Sequence, residues 1–100
     1  MKRFIVAPAA KQDLKDIRDH IAKDSASASR RVIRELRAKM ALLAENPGIG
    51  HKHDFIPQED LRVFPVYSYL IVFRPERQPI EVARVIYGGM DLEQAFKVTQ

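Results

Sequence analysis

The chain has 100 residues, 46% of them hydrophobic, and 17 Lys and Arg against 13 Asp and Glu give a formal net charge of +4. One small domain over residues 1–100, built around a single two-layer core, is the expected organisation for a chain this short. The lack of cysteine excludes a disulfide framework, a thiolate metal site and a cysteine nucleophile.

Phe4 to Val6 reads as a short strand, and Pro8 then suits the first turn of a helix, where its missing N–H has no partner to lose. Ala10, Leu14, Ile17 and Ile21 recur at helical spacing as one apolar stripe, with Asp13, Lys15, Asp16 and Asp19 expected to face away from it. Ser25 or Ser27 suits the cap of a second helix, whose stripe is Ile33, Leu36, Met40 and Leu43 and whose end is marked by Asn46-Pro47-Gly48. A link this short turns the second helix back along the first as an antiparallel hairpin.

From Pro47 to Asp60 the periodicity dissolves into a loop containing Gly48, Gly50, His51, His53 and Pro57. Strand signals follow at Leu61 to Phe64, Tyr67 to Phe73 and Ile80 to Tyr87, which read as a three-stranded antiparallel meander. The middle strand alternates Tyr69, Ile71 and Phe73 with Leu70 and Val72, so both of its faces need cover. The helices cover one. The segment Leu92 to Val98 or another protein is expected to cover the other. The fold class is therefore α+β: a short strand and a helical hairpin packed on an antiparallel sheet.

Charge is uneven. Residues 1–50 carry 11 Lys and Arg against 6 acids, while residues 51–100 carry 6 against 7. A basic half points to an acidic partner, either nucleic acid or an acidic protein segment. Arg30, Arg34 and Arg37 lie at i, i+4 and i+7 with Arg31 beside them, and are expected to share the helix face opposite the apolar stripe. His51, His53 and Asp54 have ligand chemistry but no third spaced partner, so neither a metal nor a cofactor is expected. Arg62, Arg84 and Tyr87 fall on the expected strands. Arginines and a phenol there have the chemistry for phosphodiester cleavage, but no base stands beside them in the sequence. The apolar stretch before Pro8 is too short for a signal peptide and no run reaches the roughly 20 residues of a membrane span, so a cytoplasmic protein with no membrane partner is expected.

The ordered set Pro8-Ala9-Ala10 with Asp13-Leu14, Leu43 with Pro47 and Gly50, Leu61-Arg62, Tyr69-Leu70-Ile71-Val72-Phe73, and Arg84-Val85-Ile86-Tyr87-Gly88 followed by Asp91 resembles the RelE/ParE superfamily of bacterial toxins. The resemblance runs from Phe4 to about Leu92 and favours the ParE branch. It implies the toxin of a type II toxin–antitoxin module that blocks DNA gyrase, is silenced by a cognate antitoxin, and meets operator DNA only through that antitoxin. The RelE-like alternative is an mRNA endonuclease, for which Arg62, Arg84 and Tyr87 would be the catalytic positions; a further alternative is an inactive antitoxin-binding module. ParE-like chains usually read Arg-Val-Leu-His-Gly followed by basic residues, whereas Tyr87, Gly89 and Met90 stand here. The expected antitoxin surface combines Arg30, Arg31, Arg34 and Arg37 with apolar contacts at Leu36, Met40, Tyr69 and Phe73.

Overall fold

The computed structural model describes residues 3–54 and 56–88. Strand β1 (Phe4–Val6) leads into helix α1 (Pro8–Ala22), which a short link joins to α2 (Ala26–Glu45). A 3-10 turn at Pro47–Ile49 and a loop precede β2 (Arg62–Val66), β3 (Tyr69–Arg74) and β4 (Ile80–Tyr87). The last three strands form the antiparallel meander. β1 runs parallel to β4 at the sheet's edge, giving the order β1-β4-β3-β2, so the sheet is mixed rather than wholly antiparallel. A parallel pair needs a long crossover, which the helical hairpin and the first two strands of the meander supply.

Pro8 sits in the first turn of α1, and the Ser25 hydroxyl caps α2 by accepting the Ala28 N–H at 3.1 Å. Ser29, buried between the helices, donates its hydroxyl to the Arg18 carbonyl at 2.7 Å. That bond satisfies the one buried polar side chain of the hairpin and fixes how the helices lie along each other.

The core has two layers. Ala10, Leu14 and Ile17 of α1 and Leu36, Met40 and Leu43 of α2 pack on Ile71, Phe73, Val82 and Val85 of the sheet. Beneath the sheet, Val63, Val72 and Ile86 pack with Ile56 and Leu61. The loop before β2 thus contributes cover that the sequence reading assigned to the C-terminal segment or a partner. Residues 92–98 lie outside the described residues. Between Val72 and Phe73 the β3–β4 register shifts, since Val72 pairs with Arg84 and Phe73 with Val82. The extra residue, Ala83, lets Val82 and Val85 both reach the helix side, which strict alternation would forbid.

Gly50 is where the loop presses closest to the sheet. A Cβ there would stand 2.5 and 2.7 Å from Cζ and Cε1 of fully buried Phe73 and 3.1 Å from the Arg62 Cβ. Gly48 has nothing within 4 Å of such an atom. Gly50→Ala is therefore expected to lower stability by about 1–3 kcal/mol in urea unfolding. Gly48→Ala is expected to change it by less than about 1 kcal/mol.

Candidate functional site

All three tyrosines of the chain gather at one end of the sheet. Tyr69 at the start of β3 pairs with Tyr87 at the end of β4, and the rings meet edge to face with centroids 6.0 Å apart. Tyr67 and Ser68 form the turn between β2 and β3, to which Gly88 is tied by its N–H donating to the Ser68 carbonyl at 2.7 Å. Tyr67 adopts φ 54°, a conformation that a bulky side chain avoids at a cost of order 1–3 kcal/mol. Tyr67 is 64% exposed and Tyr87 52%. Two exposed aromatic residues, one of them on strained backbone, thus stand at this end of the sheet.

Between this end of the sheet and α1 lies a cleft of about 450 Å³ lined by Asp13, Asp16, His20, Tyr69, Arg84 and Tyr87, with Ile17 among its apolar residues. One carboxylate organises it. Asp13 Oδ2 accepts from Arg84 Nε at 2.7 Å and from the Val85 N–H at 2.9 Å, while Oδ1 accepts from Arg84 Nη2 at 3.0 Å. β1 ends at Val6, so beyond Val82 the edge of β4 has no neighbouring strand, and Asp13 supplies the acceptor that a strand would have given Val85. The side chains of Asp13 and Arg84 are only 14% and 22% exposed. The hydrogen bond to Asp13 pushes the Arg84 guanidinium pKa further up, against the opposing effect of burial. Burial, and secondarily Tyr87, pushes the Tyr69 phenol up, so it stays protonated beyond the ordinary tyrosine range.

Asp13 lies off the apolar stripe, as periodicity places it, and its flank of α1 turns toward β4. Asp16 and His20 share that flank. Their spacing, Asp16 three residues and His20 seven residues after Asp13, is the signal by which sequence reading alone would have found them. His20 corrects the expectation that no base stands near Tyr87, since both line one cleft.

The residues considered for phosphodiester cleavage do not converge. Arg84 and Tyr87 share the cleft, but Arg62 lies at the other end of its strand, opposite Phe73. Four residues of β2 separate Arg62 from the level of Tyr69 and Tyr87, about 13 Å. Arg62 donates to the Glu59 and Leu61 carbonyls, each at 2.8 Å, beside Glu59, Asp60 and Glu76.

Of the expected antitoxin contacts, Leu36, Met40 and Phe73 are completely buried between the helices and the sheet, where no partner reaches them in the folded protein. The stripe expected to add Leu36 and Met40 to the antitoxin surface makes the core instead. Tyr69 keeps part of its surface. Arg30, Arg34 and Arg37 line a depression of about 380 Å³ with Arg18 of α1 and Ile33, whereas Arg31, one residue and about 100° further round the helix, does not. His51 exchanges backbone hydrogen bonds with Val63, each 2.8 Å long, and no three His, Asp or Glu side chains converge as metal ligands among the described residues. No helix among them is long and apolar enough to cross a membrane.

The family model described as the ParE toxin of type II toxin–antitoxin system, parDE, matches residues 4–92. A solved structure titled as the chromosomal ParDE TA system from P. aeruginosa shares the fold with a TM-score of 0.72 at 17% identity, over 87% of this chain and 96% of that one. Comparison with curated proteins gives no match.

Proposed function

Because the chain belongs to the ParE toxin family of type II toxin–antitoxin systems, we propose that it arrests growth by binding and poisoning DNA gyrase, without itself catalysing a reaction. The family match over residues 4–92 carries this reading. The charge of the cleft supports its non-catalytic part. A phosphodiester entering there meets two carboxylates, Asp13 and Asp16, while the single guanidinium is already neutralised by one of them. Stabilising a transition state that gathers negative charge needs the opposite arrangement.

The mRNA endonuclease remains a second reading because His20 and Tyr87 line one cleft, which is acid–base chemistry within reach of a substrate. Against it stand the distance to Arg62 and the commitment of Arg84 to Asp13. The discriminating experiment is growth arrest on induction together with supercoiling by purified gyrase. Tyr87→Phe, His20→Ala and Arg62→Lys are each expected to stay toxic and to inhibit supercoiling within a fewfold of the parent. Ribosome-dependent RNA cleavage that falls about 10²-fold or more in Tyr87→Phe or His20→Ala would overturn the proposal.

The partner that silences the toxin is proposed to be a cognate antitoxin, as the type II family implies. Its apolar contacts are proposed at Tyr67, Tyr69 and Tyr87, where aromatic surface is open, with Arg30, Arg31, Arg34 and Arg37 steering its acidic residues from further off. Tyr87→Ala and Tyr67→Ala are each expected to weaken antitoxin binding by tenfold or more in calorimetric titration. Leu36→Ala is expected to cost about 2–5 kcal/mol of stability while leaving the affinity of the folded fraction unchanged. Unchanged affinity in both tyrosine variants would move the contact elsewhere.

A further inference from the structure

The charges of α1 are sorted by flank. Asp13, Asp16 and His20 face the cleft beside β4. Lys11, Lys15 and Arg18 recur at i, i+4 and i+7 on another flank, and Arg18 meets Arg30, Arg34 and Arg37 of α2 across the depression floored by Ile33. The helices are antiparallel, with Arg18 beside Ser29, so Lys15 and Lys11 continue that wall toward the other end of α2. The result is an outer groove with two rows of three cations. Each row is about 10 Å long, and the helix axes are about 8–10 Å apart. All six side chains are exposed. Among the described residues only Arg18 has an acidic partner, the neighbouring surface residue Asp19. The other five cations are uncompensated.

We propose that this groove binds the phosphate backbone of duplex DNA directly. An acidic protein segment has the same sign of charge, but it would have to carry acids at a spacing that matches two rows of three cations, whereas the phosphate backbone of a duplex presents regular charge whatever its sequence. Duplex DNA presents one negative charge per roughly 1.7 Å of axis, and neutralising it releases counterions. Four of the six cations are guanidinium groups, whose planar forks match phosphate oxygens. The charge pattern asks only for phosphates, so binding is expected to be independent of sequence. The choice of DNA over an RNA duplex rests on the gyrase reading; the affinity for phosphate does not. Such a contact would hold the toxin on the DNA that gyrase is handling, without the antitoxin as intermediary.

The test is fluorescence anisotropy of the purified protein with a labelled DNA duplex of arbitrary sequence, titrated from about 50 to about 200 mM salt. Six phosphate contacts predict a log–log slope near −5 and a loss of affinity of about 10³-fold over that range. The triple variant Arg30→Gln, Arg34→Gln, Arg37→Gln, whose helicity and melting are checked by circular dichroism, should reduce the slope by about 3. Removing three charges elsewhere, Lys23→Gln, Lys39→Gln and Arg77→Gln, should leave it near the parent value. The groove assignment is overturned by absence of binding at low salt, by equal losses in the two triple variants, or by a poly-glutamate peptide or an RNA duplex bound more tightly than DNA. DNA binding without gyrase inhibition would sink the gyrase reading and leave the groove. Inhibition without DNA binding would do the reverse.

Discussion

The Asp13 carboxylate receives three hydrogen bonds, two from Arg84 and one from the Val85 amide, and the arrangement of the molecule around α1 depends on them. A three-residue β1 leaves the last part of β4 without a strand on its outer edge, so the backbone donor pointing that way, Val85 N–H, needs an acceptor from somewhere else. α1 supplies it. A partly buried charge pair of this kind is not a large net source of stability, because desolvation offsets much of the attraction. Its importance lies in what happens when one member is missing, since the other is then left charged and unpaired and the Val85 N–H unsatisfied. The clamp therefore fixes the rotation of α1 about its axis. That rotation decides which side chains face the cleft and which face the groove.

From this follows a division of electrostatic labour. One flank of α1 carries Asp13, Asp16 and His20 into a cleft walled by tyrosines, and the other joins the arginines of α2. The cleft disfavours phosphate and offers aromatic surface, which suits contact with protein. The outer groove sets six exposed cationic heads around Ile33 and the aliphatic stems of the arginines, and that density of positive charge suits a polyanion. Arg84, one of the three sheet positions considered for phosphodiester cleavage, is a structural cation. Its strand position is what a nuclease would use, but its guanidinium is held by a helix 71 residues away in the chain.

Local pattern carried the helices, their caps and the three meander strands, because helical and strand periodicities and the Pro and Gly punctuation are local signals. Strand ends moved by a residue or two: β2 continues through Pro65 to Val66, which an edge strand tolerates, and Tyr67 lies in the turn rather than in β3. Long-range facts were not legible. The apolar stripe of Leu36 and Met40 looks the same whether it meets a sheet of its own chain or a partner, and only the fold assigns it to the core. Periodicity places Asp13 off the apolar stripe and says nothing of β4 beside it. Ile56 sits in a stretch without periodicity, so its role beneath the sheet has no local signature. Arg31 separates from its three neighbours because adjacent helical residues point about 100° apart.

The central claim is that Asp13 and Arg84 act as one structural unit, and a double-mutant cycle in urea unfolding measures it most directly. Asp13→Ala and Arg84→Ala are compared with the double variant. The account predicts a coupling energy of about 1–3 kcal/mol, with each single variant losing nearly as much stability as the double, because either change alone strands the partner. Additive losses, with coupling near zero, would contradict it and return Arg84 to the pool of groups free for chemistry.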